Sequence, residues 1–205
     1  MQRYGPAVGL VVVDVQNDFA DPAGTLFVRG GEGVVVRASQ EVGRAIAGRA
    51  LVVYTQDWHP ASTPHFAKDG GTWPVHCVAG TWGAQLHPAL LLGGPRVRKG
   101  SSGEDGYSGF TMRDPLTGEE RPTELEAILR ARGVDEVVIC GLATDYCVRG
   151  TVLDACRLGF ETTVLADAVA AVEVSRGDGE RALAEMAAAG ARLAHDPAMG
   201  GDVPS

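Results

Sequence analysis

Short, almost uniformly apolar runs alternate along this chain with longer stretches whose apolar residues recur at helical spacing. Residues 9–13, 51–55, 96–98, 136–140 and 162–166, with a weaker run at 191–194, have the length and β-branched content of buried strands. Between them, residues 34–49 place Val35, Ala38, Val42, Ala45 and Ile46 on one helical face. Helices are also predicted over 123–132 after Pro122, over 145–158 ending at Gly159, and over 179–189 ending at Gly190. Strand, helix and strand at this rhythm predict βαβ units. The expected fold is a single-domain three-layer α/β/α sandwich over residues 1–205, with a mostly parallel sheet of about six strands.

One region breaks the rhythm. Residues 56–94 hold all three Trp and four of the five His, with little periodicity. Long irregular segments inside compact domains are functional loops or linkers, and linkers are not rich in Trp and His. The tail over 196–205 is small and polar and is expected to fray.

Composition narrows the partners. Eighteen Lys and Arg against 26 Asp and Glu leave a net charge of −8. That balance disfavours a phosphate-neutralising surface, so neither nucleic acid nor an anionic membrane is an expected partner. The apolar run at 8–13 is broken by Asp14, far short of the roughly 20 residues of a membrane span and too short for an export signal. Four cysteines without a CxxC pair suggest reduced thiols, and a cytoplasmic protein is expected.

In open parallel sheets, ligands sit beyond the carboxyl ends of the strands. There the sequence places Asp14, Asp57, Lys99 and the segment Gly141-Leu142-Ala143-Thr144-Asp145-Tyr146-Cys147. Cys147 falls in the first turn of a predicted helix, where free backbone N–H groups and the helix dipole favour a thiolate. Its alternative is a small buried residue at a helix start. Cys156 and Cys140 read as core thiols, and Cys77 is undecided. Asp14 is either a functional carboxylate or a cap for the following turn, and Lys99 either a site ammonium or a surface lysine. Together an acid, an amine and a thiol suggest a nucleophilic amidase in which Asp14 takes the thiol proton and Lys99 favours the ionised forms.

Asp57 and His59, two apart in an extended segment, point to one side and can grip one ion. His76 would complete a set of nitrogen and oxygen ligands suited to one divalent metal ion, Zn²⁺, Fe²⁺ or Mn²⁺; His65 is a further ligand or a hydrogen-bonding neighbour. Phe19, Trp73, Tyr107 and Tyr146 are candidates for a pocket wall, with plain core packing as the alternative.

These residues fall in a known order. Val13-Asp14-Val15-Gln16-Asn17-Asp18-Phe19, Thr55-Gln56-Asp57-Trp58-His59-Pro60, Trp73-Pro74-Val75-His76-Cys77, Lys99-Gly100, Tyr107-Ser108-Gly109-Phe110 and Ala143-Thr144-Asp145-Tyr146-Cys147 together resemble nicotinamidases of the isochorismatase-like hydrolase superfamily. The resemblance runs from about residue 7 to 195 and implies the corresponding isochorismatase-like fold. It also implies a cysteine hydrolase that converts nicotinamide to nicotinate and ammonia, accepts pyrazinamide, and serves pyridine nucleotide salvage. Asp14, Lys99 and Cys147 would be its triad. Asp57, His59 and His76, with His65 at a variable fourth place, would hold a metal, Zn²⁺ first among the three, that binds the pyridine nitrogen. Phe19, Trp73 and Tyr107 would sandwich the ring. A cis peptide would precede Thr144, at Ala143–Thr144, and the N–H groups of Ala143 and Cys147 would face the oxyanion. N-carbamoyl amidases of the same superfamily generally lack the D-x-H set, and a non-catalytic metal-dependent binder needs no triad. A homo-oligomer is left open.

Overall fold

The computed structural model describes residues 4–195; the tail at 196–205 lies outside the described residues. β1 (Val8–Val13) is buried along its whole length. Leu10 and Val12 enter one apolar cluster while Val11 and Val13 enter another. That is how a central parallel strand with both faces covered must behave, since its side chains alternate.

The chain continues through α1 (Asn17–Ala20), α2 (Gly31–Ala47), β2 (Leu51–Asp57), β3 (Arg96–Lys99), β4 (Thr111–Arg113), β5 (Glu120–Pro122), α3 (Leu125–Ala131) and β6 (Glu136–Leu142). A five-residue π turn (Thr144–Val148) then leads into α4 (Arg149–Arg157), β7 (Glu161–Ala170), α5 (Asp178–Ala188) and β8 (Arg192–Ala194). Six strands form one sheet in the order β3-β2-β1-β6-β7-β8, every neighbouring pair parallel. α2 covers one face with Val34, Val35, Ala38, Val42 and Ala45. Leu125 and Leu129 of α3, Val152 and Ala155 of α4, and Ala182 and Met186 of α5 cover the other. The expected sandwich is the one found.

Strand order reverses between β1 and β6. The chain steps outward from β1 to β3, returns to β6 beside β1, and steps outward again. Such a switch point opens a crevice at the carboxyl ends of the two central strands. Asp14 follows one of them and the Cys147 turn follows the other.

Three local readings change. The predicted helix at 145–158 is a π turn followed by α4, so Cys147 stands in the turn and not in the first turn of an α-helix. The Val148 N–H reaches back five residues to the Ala143 carbonyl at 3.0 Å, which widens the turn. Pro122 closes β5 instead of opening a helix. Thr123 then turns the chain, its hydroxyl donating to the Gly109 carbonyl at 2.6 Å and accepting the Leu125 N–H at 3.1 Å. The two-stranded β4–β5 hairpin was not predicted.

Candidate active site and metal-binding cluster

The polar run after β1 is buried, so each polar group needs a partner. Asp14 has φ +47, which turns its side chain off the strand end. Its Oδ1 accepts the Thr55 hydroxyl at 2.6 Å, and its Oδ2 lies 2.9 Å from Lys99 Nζ. Gln16 bonds the backbone of Asp57 and the Ala84 carbonyl. Asn17 Nδ2 donates to the Trp82 carbonyl at 2.8 Å. Asp18 accepts the Cys77 N–H at 2.7 Å and the Thr25 N–H at 3.0 Å. One strand end thus supplies a site carboxylate and three fasteners for the irregular region.

Lys99 ends β3 and is 1% exposed, so it is not a surface lysine. Its ammonium contacts Asp14, Asp57 and Cys147 Sγ, the last at 3.5 Å. Burial opposes its charge, but Asp14 and Asp57 prevail and hold it well above the ordinary lysine range. Burial likewise raises the Asp57 carboxyl, yet the Lys99 charge and the imidazoles of His59 and His76 carry it well below the ordinary range. For Asp14 burial wins over Lys99, and its carboxyl is raised. Burial also pushes the Cys147 thiol up against the pull of Lys99. The expected place of Cys147 in the first turn of an α-helix is therefore corrected: it is buried in a π turn, where burial raises its thiol, beside the Asp14 carboxyl, which burial also raises.

The turn is built to hold Cys147 over that carboxylate. Gly141 has φ +122, and a Cβ there would lie 2.0 Å from the Val13 carbonyl oxygen, so only glycine lets β6 close on β1 at this point. The cis peptide lies at Leu142–Ala143, one bond before the expected Ala143–Thr144. The β6–β7 ladder holds the chain through Leu142, so the departure from the sheet falls at the next bond. Ala143 itself is extended, and its carbonyl already receives the Tyr146 and Val148 N–H groups. Thr144 is the first residue of the turn. Thr151 ties it down by donating to the Cys147 carbonyl at 2.6 Å.

His59, His65 and His76 bring ring nitrogens within 4.8 Å of one another. Asp57 Oδ2 joins them, 3.7 Å from His59 Nε2 and 3.8 Å from His76 Nε2, too far for hydrogen bonds. His76 Nδ1 donates to the Pro74 carbonyl at 2.7 Å, which orients the ring with Nε2 toward Asp57. Burial, then neighbouring His59, pushes His65 down to about 4, so it offers a lone pair near neutrality. Both ring nitrogens of His59 are buried without a hydrogen-bond partner among the described residues. Buried orphans of this kind call for a ligand, and this donor set fits a divalent ion. Cys77 is a scaffold: its carbonyl accepts the His59 N–H at 3.0 Å, and burial raises its thiol.

A narrow cavity opens above these groups. Cys147, Ala143, Asp57, His65 and His76 line it with Phe19, Trp73, Tyr107, Tyr146, Leu26, Val28 and Val172. Phe19 lies against His76, with ring centroids 5.4 Å apart. Trp73 Nε1 donates to the Tyr107 hydroxyl at 3.1 Å, and the Tyr146 ring meets Trp73 and Tyr107 edge-on at 4.9 and 5.2 Å. Every candidate named from the sequence except Thr144, Lys99, Asp14 and His59 lines the cavity; the last three lie beneath it as Asp57's and Cys147's partners. Gln16, Asp18, Thr55 and Asp145 were not found. For Gln16, Asp18 and Asp145 the signal was a polar run directly after an apolar strand, where polar groups must be paired; Thr55 lies inside β2.

The isochorismatase domain family matches residues 8–195. The chain belongs to this family. It is 37% identical over 206 residues to a nicotinamidase of Escherichia coli, covering 92% of this chain and 94% of the relative. The pyrazinamidase of Pyrococcus horikoshii in complex with zinc superposes with a TM-score of 0.82 at 38% identity, covering 93% of this chain and all of that one. A protein of L. infantum in complex with nicotinate gives the same TM-score at 36% identity, covering 93% of each chain. As an isochorismatase-family protein, the chain has the parallel six-stranded sheet flanked by helices that the expectation named. Among its described residues, no helix is long and apolar enough to cross a membrane.

Proposed function

We propose that this protein is a nicotinamidase, an amidohydrolase that converts nicotinamide to nicotinate and ammonia and also accepts pyrazinamide. One observation carries the reading: Lys99 Nζ contacts Asp14, Cys147 and Asp57, the carboxylate beside His59 and His76, beneath an aromatic cavity. His59, His76 and Asp57, with His65, would hold one divalent ion, zinc first among the candidates. When bound, it supplies a Lewis-acid anchor for the ring nitrogen of an aromatic amide.

The steps follow from the chain's own groups. Phe19, Trp73 and Tyr107 pack the flat ring. Asp14 takes the Cys147 proton as the sulfur attacks the amide carbon, and its raised proton affinity suits that task. The N–H groups of Ala143 and Cys147 face the resulting oxyanion. Asp14 passes the proton to the departing nitrogen, ammonia leaves, and a thioester remains on Cys147. Asp14 then takes a proton from water as it attacks the thioester, and Cys147 departs as the thiol with that proton while nicotinate forms. Lys99 stays an ammonium throughout, opposing the negative charge that moves between Asp14 and sulfur.

We place the enzyme in the cytoplasm, in pyridine nucleotide salvage, as one domain with neither nucleic-acid nor membrane partners. The test is ammonia release from nicotinamide, pyrazinamide and an N-carbamoyl amino acid, side by side with metal analysis. Release from the two aromatic amides, abolished in Cys147→Ala, is expected. Release from the N-carbamoyl compound alone would replace this reading with that of a different amidase.

A further inference from the structure

Asp145 stands two residues before Cys147 and is buried. Its two carboxylate oxygens accept the backbone N–H groups of Val172 and Glu173, each at 2.9 Å. Those residues follow β7, whose Val169 and Ala170 pair with Gly141 and Leu142 of β6. The register slips just before this point, with Ile139 paired to Val164 and Gly141 to Val169, so β7 carries extra chain as it reaches the site. Val172 lines the same cavity as Cys147. Glu173, at φ +58, passes the hold onward: its carboxylate accepts the Gly177 N–H at 2.7 Å and the Gly179 N–H at 2.8 Å, at the start of α5.

One five-residue turn therefore carries both the sulfur and a two-pronged hook for a cavity wall. A carboxylate buried on two backbone amides gives charge-assisted bonds stronger than neutral ones, and they fix direction as well as distance. An Ala or Leu at this position would leave both part-buried N–H groups without their side-chain acceptor.

We propose that Asp145 is a positioning residue: through the Val172 amide it fixes the Val172 wall relative to Cys147, and that wall restricts the site to flat, unsubstituted aromatic amides. The proposal rests on the amidase reading above. The whole chain is tested with its metal bound. Asp145→Asn keeps size and one accepting oxygen but loses the other. Its KM for nicotinamide should rise about tenfold while kcat stays within about threefold. Hydrogen exchange at the Val172 and Glu173 amides should quicken at least about tenfold. Turnover of a ring-methylated nicotinamide should rise relative to nicotinamide. Val172→Ala should reproduce the KM shift and the relaxed selectivity without faster exchange at Glu173.

Unchanged KM in Val172→Ala would overturn the proposal. So would unchanged exchange in Asp145→Asn, a fall in its kcat at constant KM, or its failure to fold, which would make Asp145 a general core residue. Absence of ammonia release by the wild-type protein would overturn the amidase reading alone. Exchange at Val172 and Glu173 would still decide whether Asp145 holds the wall.

Discussion

Gln16 grips Asp57 by both of its backbone polar groups: its carboxamide oxygen accepts the Asp57 N–H at 2.8 Å and its Nε2 donates to the Asp57 carbonyl at 2.7 Å. Nε2 also donates to the Ala84 carbonyl at 2.9 Å. The clamp sits where Asp57 turns one oxygen to Lys99 and the other to the imidazoles. Gln16→Leu would strip partners from a buried backbone peptide and free the end of β2. A loss of about 2–4 kcal/mol is expected from unpaired buried groups, read as a lower denaturation midpoint. Metal affinity should weaken roughly 10–100-fold, as for other residues that orient a ligand. Wild-type affinity in a chelator titration would mean that the sheet ladder alone places Asp57.

Thr55 lowers the proton affinity of Asp14, behind the larger effects of burial, Lys99 and Asp57. Its hydroxyl donates to Asp14 Oδ1 at 2.6 Å and accepts the Asp14 N–H at 3.2 Å. Burial raises the Asp14 carboxyl, while Lys99 and this hydroxyl oppose the rise. Thr55→Val keeps the shape and removes the bond, so the charged form loses support and the carboxyl rises further. Proton uptake from Cys147 requires the carboxylate. The acid limb of kcat/KM should therefore move to higher pH. A limb that stays in place or moves to lower pH would exclude Asp14 as the proton acceptor.

The sheet was legible because buried parallel strands need apolar side chains on both faces, and Val11 to Val13 or Val137 to Ile139 meet that need with no other pattern available. Two strand ends were legible for the same reason: Asp14 and Asp57 close apolar strands at the edge where parallel sheets bind ligands, whereas Lys99 closes the short, charged Arg96-Val97-Arg98 run. The fasteners were not. Gln16 and Asp57 lie 41 residues apart, and Asp18 and Cys77 lie 59 apart, so no local period links them. The β4–β5 hairpin escaped because Glu120 to Pro122 is exposed and owes nothing to apolar alternation.

Gly100 has φ +82, and a Cβ there would lie 2.6 Å from His59 Nδ1. Alanine is strained in that backbone region and would also push the imidazole away from its neighbours. Gly100→Ala should lower metal content at a fixed free-metal concentration, measured by atomic spectroscopy. Cys147 lies beyond Lys99, so its alkylation by iodoacetamide should stay within about twofold of wild type. Full metal content would show that His59 is not a ligand, or that its ring has room to retreat.

Lys99→Met tests the charge balance of the whole site. The ammonium is the cation shared by two buried carboxylates, and removing one partner of a buried ion pair costs about 3–5 kcal/mol because the other charge is stranded. The pH dependence gives the sign. In the wild type, Asp57 is depressed, so its contribution is present above the ordinary carboxyl range and lost only as pH falls through its lowered value. Lys99 is raised, so its contribution is present at neutrality and lost only far on the alkaline side. Without Lys99, burial raises Asp57 and carries Asp14 higher still, so both favour protonation in the folded state. The stability gap between wild type and Lys99→Met should therefore be widest near neutrality and narrow as pH falls towards about 4. Chemical denaturation across that range measures it. A gap independent of pH would mean that Lys99 acts through packing of its stem rather than through the charge it places between Asp14 and Asp57.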